Sequence, residues 1–158
     1  QLSEMGFKRL ILINGHGGQI SLLNTAAREL RSFAPGMAVF PCFLWSGVNG
    51  LSELLTKTEI EDGLHASLAE TSLMLALKPE LVGDERPNES IKGDIPEGWS
   101  LEGNAPTAWL TDDFSKSGVI GDSRGANESL GKNLKELLIN HWFKLIMNLM
   151  QSDWPNNS

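Results

Sequence analysis

The sequence predicts an α/β layered fold with a largely parallel sheet, and three stretches carry that prediction. Residues 7–13, FKRLILI, form a short continuous apolar run with two basic residues near its entry, the pattern of a strand buried on both faces as parallel sheets require. After a glycine-rich turn, Ile20, Leu23, Ala27, Leu30 and Ala34 recur at helical spacing until Pro35-Gly36 stops them. Residues 37–45, MAVFPCFLW, read as a second strand, in which Pro41 points to a bulge or an edge location. Strand and helix alternating in this way argue for helices layered on a parallel sheet.

The remaining elements follow in order. Residues 1–6, QLSEMG, read as the last turn of a helix terminated by Gly6, as if the beginning of something were missing. Leu51 to Ile60 forms a short helix, and Ala66 to Leu77 a better one ended by Lys78-Pro79. From Gly83 to Gly125 the texture changes: Gly and Pro recur every few residues, with Trp99, Trp109 and Phe114 interspersed. A structureless loop of that length is rare in a compact domain, so short extended pieces packed by those aromatics are expected, over a site or against a neighbouring subunit. Asn127 to Met150 closes the chain as a helix whose second half, LLINHWFKLIMNLM, is apolar nearly all round and needs another layer or another chain to cover it. No internal repeat or low-complexity tract is visible.

Length and composition narrow the function. With 158 residues and 41% apolar content, the chain suits one compact domain over residues 1–158. A net charge of −7 and the lack of any Lys/Arg stripe disfavour a nucleic-acid partner. The lone Cys42 excludes an internal disulfide and suits a reducing compartment, so a cytoplasmic location is expected. No stretch approaches the roughly 20 apolar residues that cross a bilayer, which argues against a membrane partner.

The first chemistry-bearing motif is NGHGGQ, residues 14–19, at the carboxyl end of the first strand, where ligands gather in α/β sheets. A dinucleotide fingerprint would need a glycine where Ile20 stands, and a Walker motif would need an absent lysine. Two readings of His16 stand: a ligand presented by the turn, or a turn residue that fills space or caps the helix while the glycines supply positive φ.

The second motif is DGLHASLAETSLMLAL, residues 62–77. On a helix through Leu77, Glu70 shares a face with Leu73, Met74 and Leu77, so its carboxylate points into apolar surroundings and must be paired or bound to metal. The alternative is a Ser67-x-x-Glu70 capping box, which would spend the carboxylate on backbone N–H groups. His65 precedes Glu70 by five residues, about 140° round a regular helix, so if both serve one site His65 sits in the turn before the helix. There it suits proton transfer beside a carboxylate that holds metal. Asp62 and His65, at i, i+3, form a small metal or surface pair in a competing reading. His141 reads as a core or interface residue.

At this point the residues carry a resemblance. LINGHGGQ, followed by HASLAETSLMLALKPELV and then SGVIGDSRGANESLGKNL, resembles the creatininase (creatinine amidohydrolase) family, in the branch with NGHGG. The three motifs span nearly the whole chain in the family's order. The resemblance implies a three-layer α/β/α sandwich, commonly assembled as a hexamer, so that a homo-oligomer is expected. It implies hydrolysis of amide C–N bonds, often cyclic, by two divalent ions (zinc, manganese or iron) bridged by a hydroxide, with a small-molecule amide as substrate. By similarity, His16 and Glu70 are metal ligands, His65 is the catalytic proton carrier, and Trp45, Gly17 and Gly18 line the substrate pocket. Paired cations lower the pKa of the shared water, polarise the carbonyl and stabilise the oxyanion.

Several positions depart from the family pattern. Gln19 stands for the usual Asn, and Ser67 for the usual Gly. Creatinine-cleaving members carry Tyr-Glu at the positions of Gly17-Gly18 and a gating Trp at Glu61, so creatinine is not the expected substrate. Family members also carry, upstream, an E-x-H motif and an Asp that complete the metal site, which implies that the N-terminal part of the domain is missing here. The reading from another class is a non-catalytic α/β assembly module or inactive fragment, with Glu70 capping its helix and His16 a turn residue.

Overall fold

The structure is a computed structural model that describes residues 1–89, 95–102 and 105–155. It divides into two compact units, Gln1–Asn49 with Leu138–Ser158, and Gly50–Leu137.

The first unit is built on a strand–helix–strand core. β1 (Arg9–Asn14) and β2 (Ala38–Phe43) pair in parallel, in register from Arg9 opposite Ala38 to Asn14 opposite Phe43. The connection is α1 (Ile20–Phe33), bounded as its apolar periodicity predicts, with Ala27 buried. Arg31, in its last turn, donates to the carbonyl oxygens of Met37, at 2.9 Å, and Pro35, and so ties the helix end to the turn that leads into β2. Before β1, Met5 N–H bonds to Gln1 O at 2.9 Å and Gly6 has a φ of +90°, the single turn and glycine stop expected there. Burial differs from the expectation for β1. In this two-stranded sheet its residues are mostly half-buried and Ile13 is exposed.

α6 (Glu128–Gln151) contributes its second half to this unit. Trp142 Nε1 donates to Leu44 O at 2.8 Å, and an apolar cavity of about 240 Å3 lies among Ile11, Phe40, Cys42, Trp142 and Ile146. Burial pushes the Cys42 thiol pKa up. Arg9 donates to the carbonyls of Ser152 and Trp154, both at 2.5 Å, tying the chain's last turn to the start of β1. His141 lies edge-on to Trp142, and its buried Nε2 has no hydrogen-bond partner among the described residues. Ile139, Phe143, Met147 and Met150 are exposed, the uncovered apolar surface that the sequence of this helix announces.

The second unit carries the short elements. The expected Leu51–Ile60 helix is two: α2 (Leu51–Leu54) and α3 (Lys57–Asp62). Extended backbone at Leu55 breaks it, and Thr56 starts the second piece by accepting Glu59 N–H. α4 (Leu68–Leu77) ends before Pro79 as expected. Its buried face is the small-residue one, Ala69 and Ser72, whereas Met74 and Leu77 are exposed, so the expected apolar surroundings of Glu70 are only partly present. The first half of α6 packs there, with Gly131 so close to the Ser72 backbone that a Cβ would overlap it.

Between Gly83 and Gly125 the described residues form short pieces: β3 (Asn88–Glu89) antiparallel to β4 (Gly121–Asp122), a four-residue α5 (Thr111–Phe114), and a bridge from Ser100 to Pro106. Residues 90–94 and 103–104 of that segment, and 156–158 of the expected domain, lie outside the described residues. Trp109 lies edge-on to Phe114 at 5.9 Å, and Trp99 is exposed. Ile120 and Leu134 are the most deeply buried apolar side chains. No helix among the described residues is long and apolar enough to cross a membrane.

Candidate functional site

The predicted site residues fall into two groups, one in each unit. His16, Gly17, Gly18 and Trp45 belong to the first, and His65 and Glu70 to the second.

The first group sits at the carboxyl ends of both strands. Because Asn14 and Phe43 are in register, His16 and Trp45 each follow two residues after a paired strand end, and Leu44 N–H bonds to Asn14 O at 2.8 Å. Trp45 lies in the turn after β2 and is half-buried. The turn into α1 is held by Asn14, whose side chain is buried. Its Oδ1 accepts His16 N–H at 3.0 Å and its Nδ2 donates to His16 O at 2.8 Å. Asparagine carries both an acceptor and a donor on one short side chain, which this clasp requires. Gly17–Gln19 form one 3-10 turn, and a Cβ on Gly18 would lie 3.1 Å from His16 Nε2. The missing Cβ at Gly18 therefore leaves room for the imidazole of His16.

The second group surrounds the start of α4. His65 precedes the helix, the placement that a site shared with Glu70 requires, and its backbone pairs with Ile120: Ile120 N–H donates to His65 O at 2.8 Å, and His65 N–H to Ile120 O at 3.1 Å. Ala66 follows at a φ of +50°, a left-handed conformation uncommon for a residue with a Cβ. Glu70 turns back toward its helix start, where Oε2 accepts Ala66 N–H at 2.7 Å. Asp62 ends α3 three residues before His65.

The capping box of the alternative reading is not formed. Ser67 makes no side-chain bond to its own helix, and its hydroxyl instead donates to Glu59 Oε2 at 2.6 Å. Glu59 Oε1 accepts Ala69 N–H at 2.8 Å, so the cap of α4 comes from α3. The sequence shows no sign of this. Glu59 sits among exposed charged residues, and only the turn at Gly63 brings it to α4.

Nearby, Asp122 is held to about 2, mainly by its hydrogen bond from the Arg124 side chain and then by Arg124 N–H. Glu89 is also lowered to about 2, first by the Ser115 hydroxyl and next by Lys116 N–H. Among the described residues, no group of three or more His, Cys, Asp or Glu side chains is drawn together as a metal would require.

The chain matches the Creatininase (creatinine amidohydrolase) family over residues 1–146. No curated protein matches it. Among solved structures, a Bacteroides fragilis protein described as a creatinine amidohydrolase superposes with a TM-score of 0.72 at 21% identity, covering 97% of this chain and 58% of that one. A mutant creatininase complexed with creatine gives 0.68 at 24% identity, covering 96% and 61%. A mutant creatininase of the Zn-Zn type gives 0.68 at 24%, covering 96% and 60%. The chain thus spans about three fifths of the length of these structures, with their α/β fold. On the family match, which runs through NGHGG, HASLAETS and GVIGD alike, the chain belongs to the creatininase family.

Proposed function

We propose that this chain provides the greater part of a metal-dependent amidohydrolase acting on small, cyclic or otherwise compact amides other than creatinine. The observation that carries the reading is the family match over residues 1–146, which supports reading the chain as one creatininase-like domain. The built turn at His16 and the paired placement of His65 and Glu70 around one helix start agree with it.

The donor types suit the metals concerned. An imidazole and a carboxylate bind zinc, manganese and iron alike, and a relative of this fold is of the Zn-Zn type. His16 and Glu70 would hold two divalent ions in part. Catalytic zinc usually keeps three protein ligands, so these two do not complete a shell. When bound, such ions lower the pKa of a water and polarise the substrate carbonyl.

The chain's own residues perform the rest. Glu70 keeps Oε1 clear of hydrogen bonds among the described residues while Oε2 is anchored on Ala66 N–H. His65, fixed through its backbone on Ile120, donates a proton to the leaving nitrogen. Trp45 supplies an aromatic wall beside the His16 turn, and Gly17-Gly18 admit a substrate where a larger pair would occupy space. Assembly as a homo-oligomer, in the hexameric manner of the family, belongs to the same reading and is supported by the exposed Phe143 and Met150 on α6.

The test is zinc loading of the full chain followed by hydrolysis of small cyclic amides, with creatinine as the expected non-substrate. His16→Ala and Glu70→Gln lower the bound zinc, and unaltered metal content in both defeats the ligand assignment. His65→Ala lowers turnover at full metal content, and unaltered turnover defeats its role as proton carrier.

A further inference from the structure

Glu59 is a buried acid that the proposed reaction does not use. Its side chain, 9% exposed, has no cationic partner among the described residues. Both oxygens are nevertheless satisfied: Oε1 by Ala69 N–H at 2.8 Å and Oε2 by the Ser67 hydroxyl at 2.6 Å. Ala69 lies in the first turn of α4, so the carboxylate sits at the positive end of that helix, where an anion is stabilised by open N–H groups and the helix dipole.

The surroundings are shaped to hold it there. A Cβ on Gly63 would lie 2.7 Å from the Glu59 carboxyl carbon, so only glycine lets the side chain fold over this turn. Ser67 passes the contact on, since its Oγ accepts Asp122 N–H at 3.0 Å. Gly121, at a φ of +131°, lies so close that a Cβ would overlap that hydroxyl. Glu59, Ser67 and β4 therefore form one hydrogen-bonded chain, and β4 follows directly on Ile120, the backbone partner of His65.

The consequence concerns Glu70. A serine at the helix start with a glutamate three residues on would normally form a reciprocal cap and consume the glutamate. Here Glu59 takes the Ser67 hydroxyl and the Ala69 N–H, so Ser67 Oγ does not accept Glu70 N–H as that cap requires, and the Glu70 carboxylate reaches past Ser67 to Ala66 N–H, its one side-chain hydrogen bond among the described residues. We infer that Glu59 is a positioning residue, which caps α4 in place of the Ser67 hydroxyl, keeps the reciprocal Ser67–Glu70 cap from forming and so holds Glu70 available as a metal ligand, five residues from a fixed His65. This rests on the reading of Glu70 given above. Outer groups that orient metal ligands typically govern affinity about 10- to 100-fold.

The experiment measures zinc(II) affinity of the full chain by competition with a chromophoric chelator, together with amide hydrogen exchange. Glu59→Gln keeps the size but can accept at only one atom. It is expected to weaken zinc binding by about tenfold or more and to expose the Ala69 and Ala66 amides, while the deeply buried Leu134 keeps its protection. Glu59→Asp, which retains the charge, restores part of the affinity, and Glu53→Gln, on exposed α2, leaves it at the parent value. Wild-type affinity in Glu59→Gln, with Leu134 protected, overturns the proposal. If Leu134 protection is lost, Ser67→Ala is the deciding variant: it removes the hydroxyl that holds Glu59 Oε2 and leaves the carboxylate itself in place, and undiminished zinc affinity there also overturns the proposal. If the parent chain binds no zinc, or Glu70→Gln binds it equally, the metal reading fails separately. Ala66 exchange then decides: faster exchange in Glu59→Gln upholds the positioning of Glu70, and unaltered exchange refutes it.

Discussion

Asn14 grips the backbone of His16 from both sides, accepting its N–H at 3.0 Å and donating to its carbonyl at 2.8 Å. The grip closes the turn at the carboxyl end of β1 and fixes where the imidazole leaves the backbone. Asn14→Ala removes both bonds from a buried position and strands the His16 groups, at a cost of about 1–3 kcal/mol. Urea unfolding reads that loss. Asn14→Asp keeps the acceptor but sets an oxygen against the His16 carbonyl, and is expected to fall between parent and Ala.

Gly18 makes a different demand on the same histidine. An added methyl would meet His16 Nε2 at 3.1 Å, closer than ordinary contact. The ring is the mobile partner, so it turns aside, and the backbone keeps its path. Gly18→Ala is therefore expected to weaken zinc binding clearly while shifting the urea midpoint little. A variant with parent zinc affinity would show that the ring position is not what the glycines protect.

Asp122 and Arg124 supply a pH-dependent contribution whose sign is fixed. The Arg124 guanidinium, at 2.8 Å, and Arg124 N–H lower the folded-state pKa of Asp122 from 3.8 to about 2. Its stabilisation is thus complete above the ordinary value of 3.8 and is lost as pH falls toward about 2. Both groups are about half exposed, so solvent and salt reduce the effect. Unfolding followed between pH 5 and pH 2 is expected to show a shallower acid loss in Asp122→Asn than in the parent.

What the sequence makes legible here is governed by distance along the chain. β1, α1 and β2 appear where periodicity puts them because each is set by its own residues and its neighbours. The same holds for His65 in the turn before α4, which follows from a five-residue spacing and helix geometry once His65 and Glu70 are taken to share a site. The capping of α4 is not legible in the sequence, for the opposite reason. Ser67 and Glu70 satisfy the local rule, but Glu59, ten residues before Ala69, offers a better-placed acceptor once Gly63 turns the chain. Asn14 lies inside the NGHGGQ motif, and an Asn whose side chain bonds the backbone two residues on is the local signal for such a clasp. The break at Leu55 was hidden because Thr56, a good N-cap, was read as helix interior.

Gly131 offers a test in which two effects of known direction oppose each other. It lies within α6, where alanine would raise helix stability by about 1 kcal/mol. It also faces Ser72, whose backbone carbonyl a Cβ would overlap, with the Ala76 methyl close beside it. Ser72 is fully buried, and its hydroxyl accepts Asn127 N–H at 3.1 Å at the entrance to α6, so α4 and α6 are joined at this level. A backbone carbonyl inside a helix cannot rotate away as a long side chain does. The two helices must separate, and overpacking of that kind costs about 1–3 kcal/mol. The steric effect is expected to win: Gly131→Ala lowers the urea midpoint despite its better helix propensity, and faster amide exchange at Ser72 accompanies it. A variant more stable than the parent would mean that the helices have room to part, and that this glycine is not what brings them together.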